Sequence, residues 1–268
     1  MNSPIQNINI ASIRIDRISF SNSIKIIEKF INQKKESFVV TPNVDHIVNL
    51  QKDFEFRAIY NKADLVLADG MPLIWASKFL NSPLTERIAG SDLFPELCRV
   101  SAIKGYKLFL LGGRTEAAIK AKSVLEKRYP DINIVGTYCP DLGFEFNRLE
   151  NEKIVKLLRE TKPDILFVGL GSPKQEKWIY KHKDIYNVPV SIGIGVSFEF
   201  IAGMVKRAPI WMQKSGLEWF WRLLMEPKKL WKRYLINDTH FFFLILKQKI
   251  RQKKYSNFHN DISSKKIY

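Results

Sequence analysis

The chain has 268 residues, 46% hydrophobic and 26% charged, enough apolar material for one large α/β domain with an appendage. No run approaches the roughly 18 apolar residues of a membrane span. The four histidines are scattered and the two cysteines, Cys98 and Cys139, lack metal-ligand spacing, so neither a zinc site nor a disulfide scaffold is expected. The net charge of +16 is unevenly placed: residues 203–268 carry 15 Lys/Arg against 4 Asp/Glu and four of the six tryptophans, whereas the preceding body is nearly balanced.

The N-terminal stretch MNSPIQNINIASIRID has no basic segment followed by an apolar core, so no signal peptide and a cytoplasmic location are expected. From there strand-like and helix-like segments alternate. SFVVTPN (37–43) reads as a buried strand ending in Thr41-Pro42-Asn43, followed by a helical stretch to about Asn61. DLVLADG (64–70) is the next strand. Helices are expected over 71–80 and 91–103. YKLFLLGG (106–113) is a third strand, before a helix for which Thr115 is a plausible N-cap. NIVGTYC (133–139), DILFVGLG (164–171) and VPVSIGIG (188–195) complete the series, with helices near 148–161 and 173–185. Continuous apolar strands separated by helices indicate a largely parallel sheet covered on both faces. In such a sheet the polar or glycine-rich strand ends TPN, ADG, LGG and GLGSP point the same way and form one crevice, and Asp69 stands where a strand gives way to a helix.

A phosphate-bearing ligand needs backbone donors at a helix N-terminus. GLGSPKQEKW (169–178) supplies them: Gly169 and Gly171 permit close approach, Ser172 is a cap candidate, Pro173 suits the first turn, and Lys174 and Gln175 follow beside the anion. LLGGRTEAA (110–118) is a second candidate, with Gly112, Gly113 and Arg114. Neither matches a dinucleotide or ATPase fingerprint.

The segment from 206 to 236 is basic and aromatic. Leu217, Phe220, Trp221 and Leu224 follow helical spacing, Pro227 interrupts, and Leu230, Trp231, Tyr234 and Leu235 resume the stripe among Lys228, Lys229, Lys232 and Arg233. A helix packed on its own core, a nucleic-acid surface and a helix lying on an anionic membrane compete. The last is preferred, because no nucleic-acid recognition motif accompanies the charge.

TPNVDHIV, LADGMPLIWASK, ERIAGSDL, LFLLGG, DILFVGLGSPKQEKWI and the run from GIGVSFEF to KKLWKRYL occur in that order. Together they resemble the WecG/TagA/CpsF glycosyltransferases over about residues 9–240. The resemblance implies an inverting, metal-independent enzyme that moves an N-acetylmannosamine-type sugar from a UDP-sugar to a polyprenyl-diphosphate-linked sugar during teichoic acid or cell-surface polysaccharide synthesis. By that likeness Asp69 is the base, with Thr41 and Asn43 at its side, placed to hydrogen-bond Asp69 or the sugar. Arg87 acts near the leaving group, and Gln175 is the functional glutamine of its loop. Gly112, Gly113, Gly169, Gly171, Ser172, Pro173, Lys174, Arg207 and Arg222 are the substrate-binding candidates. No cofactor and no metal are expected. His46 and His182 match no catalytic position and read as structural. Asp45 reads as a first-turn helix residue, and Glu199 stands where relatives more often carry Asp.

The expected fold is therefore α/β: a Rossmann-like, largely parallel sheet with helices on both faces (residues 1–202) and a C-terminal helical membrane-docking appendage (203–245). Residues 246–268 form a basic tail open to disorder. The expected partners are the UDP-sugar, the lipid-linked acceptor and an anionic membrane at the inner face of the cell membrane, with no nucleic acid and with a homo-oligomer left open. The competing reading is a soluble nucleotide-binding oxidoreductase or methyltransferase on a doubly wound sheet.

Overall fold

A computed structural model describes residues 5–265, with side chains through Lys254; Met1–Pro4 and the last three residues of the basic tail lie outside the described residues. The chain opens with an antiparallel hairpin, β1 (Asn7–Ile10) and β2 (Ile13–Asp16), and helix α1 (Phe20–Gln33). Then follow β3 (Ser37–Val40), α2 (Val44–Asn49), α3 (Phe54–Asn61), β4 (Leu65–Val66), α4 (Met71–Phe79), α5 (Gly90–Lys104), β5 (Lys107–Gly112) and α6 (Ala117–Arg128). After β6 (Asn133–Tyr138) come α7 (Arg148–Thr161), β7 (Ile165–Gly169), α8 (Lys174–Tyr186), β8 (Val190–Gly193) and α9 (Ser197–Ile201). The appendage consists of α10 (Ile210–Lys214), α11 (Glu218–Met225), α12 (Pro227–Lys232), a π turn at Arg233–Asn237 and α13 (Thr239–Lys265).

The expected strands all form, and β3 to β8 make one six-stranded parallel sheet in the order β4-β3-β8-β7-β5-β6. Leu65, Val39, Ile192, Phe167 and Leu110 lie in register across it as a continuous buried row. Alternation along each strand sends neighbours to opposite faces. Val40, Val66, Leu111 and Val168 join a core with Ile47 of α2, Leu73 of α4, Leu158 of α7 and Trp178 of α8. Val39, Leu65, Leu110 and Phe167 join the other, with Ile27 of α1, Phe94 of α5, Ala121 of α6 and Phe198 of α9. Each fully buried side chain of this kind contributes on the order of 2 kcal/mol, so both faces are firmly covered.

This arrangement positions the site. The segments leaving β3 and β7 turn to the first face, through α2 and α8, while those leaving β5 and β8 turn to the second, through α6 and α9. Neighbouring strand ends thus diverge and open a crevice at the carboxyl edge of the sheet.

Several local expectations are corrected. The helical stretch after β3 is two helices, because Asp53 caps a new one by accepting from Phe56 N–H. The α6 cap is Glu116, in left-handed conformation and without a side-chain cap bond, so Thr115 does not cap. Pro173 occupies the α8 N-cap position, and Ser172 does not cap either: its Oγ is buried without a hydrogen-bond partner among the described residues. Pro227 does divide the aromatic segment, as the first residue of α12. The helix α13 runs unbroken at its backbone through position 246 to Lys265. Its start is anchored by buried Phe241 and Ile245, and Gln248 bridges to the hairpin, accepting from Ala11 N–H at 2.7 Å and donating to Asn9 O at 2.7 Å. Among the described residues no helix is long and apolar enough to cross a membrane.

Candidate active site

The crevice holds a cleft of about 850 Å³, roofed by the appendage. Its lining includes Thr41, Asn43, Asp69, Arg87, Gly113, Gly169, Gly171, Ser172, Lys174, Gln175 and Arg222, which the sequence reading named from six separate stretches. Gly112, Pro173 and Arg207 do not line it. Gly112 lies beneath, where a Cβ would meet Gly169 O at 2.8 Å. Pro173 is turned into the cap position of α8, and Arg207 is drawn behind the wall by Asp92 and Glu218.

Asp69 follows β4, its N–H donating to Pro42 O at 2.8 Å, which binds the ADG and TPN loops together. Burial raises its carboxyl group to about 6; Arg87 and His46 oppose the rise, and Glu218 and Asp92 add to it. A carboxylate with that affinity for protons is suited to take one near neutral pH. Thr41 and Asn43 do not hydrogen-bond it. Thr41 Oγ1 donates to Gly193 O at 3.3 Å, and Asn43 caps α2, its Oδ1 accepting from His46 N–H at 3.3 Å. Both residues line the cleft with Asp69, Thr41 Oγ1 donating to backbone and Asn43 Oδ1 held by the His46 N–H, the His46 ring and Arg233.

Gln175 is fixed from two sides. Its Nε2 donates to Glu176 Oε1 at 2.8 Å and its Oε1 accepts from Gly195 N–H at 3.2 Å. One N–H of the carboxamide makes no hydrogen bond among the described residues, and Gln175 lines the cleft. Glu176 is buried and also faces His46 Nε2 at 3.4 Å, while His46 Nδ1 lies 2.8 Å from Asn43 Oδ1. Both ring nitrogens of His46 are therefore engaged. His46 lines the cleft, which its reading as a structural residue did not anticipate, yet it has no free nitrogen to act as a base. His182 lies elsewhere, stacked on Trp178 and lowered in proton affinity by burial.

The cationic lining is largely paired. Arg87 contacts Asp92 at 2.7 Å and Glu218 at 3.1 Å; Arg114 contacts Glu226 at 2.6 Å; Lys174 contacts Glu145 at 2.8 Å; Arg233 reaches Asp45 at 3.5 Å and Asn43 at 3.3 Å. Arg222 differs. Its nearest carboxylate, on Glu226, is 4.0 Å away, and its Nε is buried with no hydrogen-bond partner among the described residues. A buried guanidinium nitrogen left unpaired at a cleft wall is a position at which an anion would complete the structure. Elsewhere in the lining, buried Glu199 accepts from Arg114 N–H at 3.0 Å through Oε1, while its Oε2 has no partner among the described residues.

The appendage contributes residues that sequence reasoning did not assign to the site: Glu218, Trp219, Tyr234, Asp238 and Phe242. Asp238 is buried and raised to about 7 by desolvation, with Arg233 opposing. The only signal for these residues in the sequence was the basic aromatic segment itself, which marks a surface without saying what its acidic members face.

A family model described as the Glycosyl transferase WecG/TagA/CpsF family matches residues 8–255, most of α13 included. Among curated proteins, the N-acetylglucosaminyldiphosphoundecaprenol N-acetyl-beta-D-mannosaminyltransferases of Staphylococcus aureus strains MW2 and NCTC 8325 are each 34% identical over 254 residues, covering 92% of this chain and 96% of the relative.

Proposed function

The chain belongs to the WecG/TagA/CpsF family and is a glycosyltransferase, and from that premise we propose that it transfers N-acetylmannosamine from its UDP derivative to a polyprenyl-diphosphate-linked N-acetylglucosamine in teichoic acid or surface polysaccharide synthesis. The activity by which the staphylococcal relatives are known supports the sugars. The observation that carries the chemistry is Asp69, raised to about 6 in a cleft that is also lined by Arg222 with an unpaired buried nitrogen. The oxidoreductase or methyltransferase reading is set aside by the family membership.

In this reading the acceptor hydroxyl oxygen attacks the anomeric carbon as the carbon–oxygen bond to UDP breaks. Asp69 takes the hydroxyl proton and later returns it to solvent, and configuration inverts. The leaving diphosphate gains negative charge, which Arg222, Arg87 and the backbone N–H groups at the start of α8 offset. Gln175 gives its remaining N–H to the sugar or diphosphate. Ser172 Oγ and Glu199 Oε2 are free to bond the donor, and a carboxylate of this kind suits sugar hydroxyl groups.

The lipid-linked acceptor accounts for the outer surface of the appendage. Trp211, Phe220, Leu224, Trp231, Phe243 and Leu246 are each at least two-fifths exposed, near Lys228, Lys229 and Lys232. An apolar face beside cations suits the headgroup region of an anionic bilayer, and this face would hold the cleft at the membrane surface. The test is mass gain on synthetic polyprenyl-diphosphate N-acetylglucosamine incubated with a panel of UDP-sugars. Gain with UDP-N-acetylmannosamine alone supports the reading; gain only with another sugar overturns the donor assignment.

A further inference from the structure

Arg87 and Arg207 share two carboxylates. Arg87 contacts Asp92 Oδ2 at 2.7 Å and Glu218 Oε2 at 3.1 Å; Arg207 contacts the other oxygen of each, Asp92 Oδ1 at 2.6 Å and Glu218 Oε1 at 3.0 Å. Three members precede the helices of the appendage: Arg87 before α5, Asp92 on its first turn, and Arg207 in the segment between α9 and α10. Glu218 alone comes from the appendage, as the first residue of α11. It is half-buried and lines the cleft with Arg87 and Asp69.

We propose that Glu218 is a positioning residue that couples seating of the appendage to catalysis: it holds the Arg87 guanidinium on the cleft wall and adds a negative charge to the surroundings of Asp69. The inference rests on Asp69 being the base. Without Glu218, Arg87 keeps only Asp92 and is free to fold toward Asp69, where a salt bridge would tie up the carboxylate that must accept the proton. With Glu218 seated, Arg87 is shared among three partners: two acids and the incoming diphosphate. The base stays available.

The charges acting on Asp69 come from every side of the cleft: Arg87 and His46 lower its proton affinity, and Glu218 and Asp92 raise it along with burial. Tyr60 of α3 is itself pushed up by burial, with Glu176 and Asp69 adding to it, which places a neutral phenol there at working pH. Arg207 offsets the charge of the acidic pair without lining the cleft. Seating α11 therefore makes Asp69 more basic. A chain with its appendage displaced holds a weaker base, and proton removal is favoured when the roof is in place.

The experiment is the pH dependence of kcat for the full chain, Glu218→Gln, Glu218→Asp and Asp69→Asn, with UDP-N-acetylmannosamine and the synthetic acceptor. Removing the negative charge lets Asp69 ionise earlier, so the acid limb of Glu218→Gln moves to lower pH by about 0.5, while its plateau falls roughly tenfold as the base weakens and Arg87 swings inward. Glu218→Asp keeps the charge and returns the limb toward that of the unaltered chain. A role confined to holding α11 in place would lower the unfolding temperature and the plateau of Glu218→Gln and Glu218→Asp alike, with the limb of Glu218→Asp no nearer to that of the unaltered chain, which overturns the proposal. So does Glu218→Gln with unaltered limb and plateau, provided Asp69→Asn is inactive. Full activity in Asp69→Asn overturns the base assignment and, with it, the role of Glu218.

Discussion

Gly193 and Gln175 are fitted to each other: a Cβ on Gly193 would lie 2.7 Å from Gln175 Nε2. The end of β8 is bare so that the carboxamide can pass over it and accept from Gly195 N–H. Gly193→Ala should therefore displace the glutamine. The clash is with the far end of a flexible side chain and the backbone is in ordinary strand conformation, so the loss of stability is at most about 1–2 kcal/mol. Turnover should fall at least tenfold. Thermal unfolding and turnover measured on the same sample check both parts; a variant with normal turnover removes Gln175 from the reaction.

Asp238 gives a prediction about stability. Its carboxyl group is raised to about 7 in the folded chain, against an unfolded value of about 4. Between those values the folded state holds a proton that the unfolded state has released, so stability falls as pH rises through the interval and the full penalty stands above pH 7. Asp238→Asn removes the penalty and should raise the midpoint of thermal unfolding at pH 8 more than at pH 5. The penalty is of the order of a few kcal/mol at most. Equal effects at the two pH values would show that Asp238 is ionised in the folded chain.

The outer face of the appendage is tested by Trp231→Ser, Phe243→Ser and Leu246→Ser together. All three side chains are exposed, at 43%, 71% and 51%, so the substitutions disturb little packing. The triple variant should lose sedimentation with anionic vesicles while UDP still raises its unfolding temperature. Sedimentation equal to that of the unaltered chain contradicts membrane contact through this face.

The sheet was legible because each central strand is a short apolar run bounded by helices, and polar strand ends announce a shared crevice. The N-terminal hairpin was not, because its turn is Ala11-Ser12, both at positive φ, where the usual signal is Asn or Gly. Asp69 was legible as a strand-end acid, and its elevated proton affinity follows from burial that only the folded chain displays. Arg207 illustrates the limit. It stood among the substrate-binding candidates, yet two carboxylates, Asp92 and Glu218, claim it. Pairings of that kind carry no local pattern. Which arginine nitrogens are claimed by carboxylates and which, as on Arg222 and Arg233 in the cleft, are buried without a hydrogen-bond partner among the described residues becomes visible only in three dimensions.

The most direct measurement is turnover of Asp69→Asn beside the unaltered chain, with folding verified by its unfolding temperature and by UDP binding. Asparagine keeps the shape and cannot accept the proton, so turnover should fall at least about a hundredfold while the fold and UDP binding persist. A folded, UDP-binding Asp69→Asn chain that transfers the sugar at close to the normal rate would contradict the account.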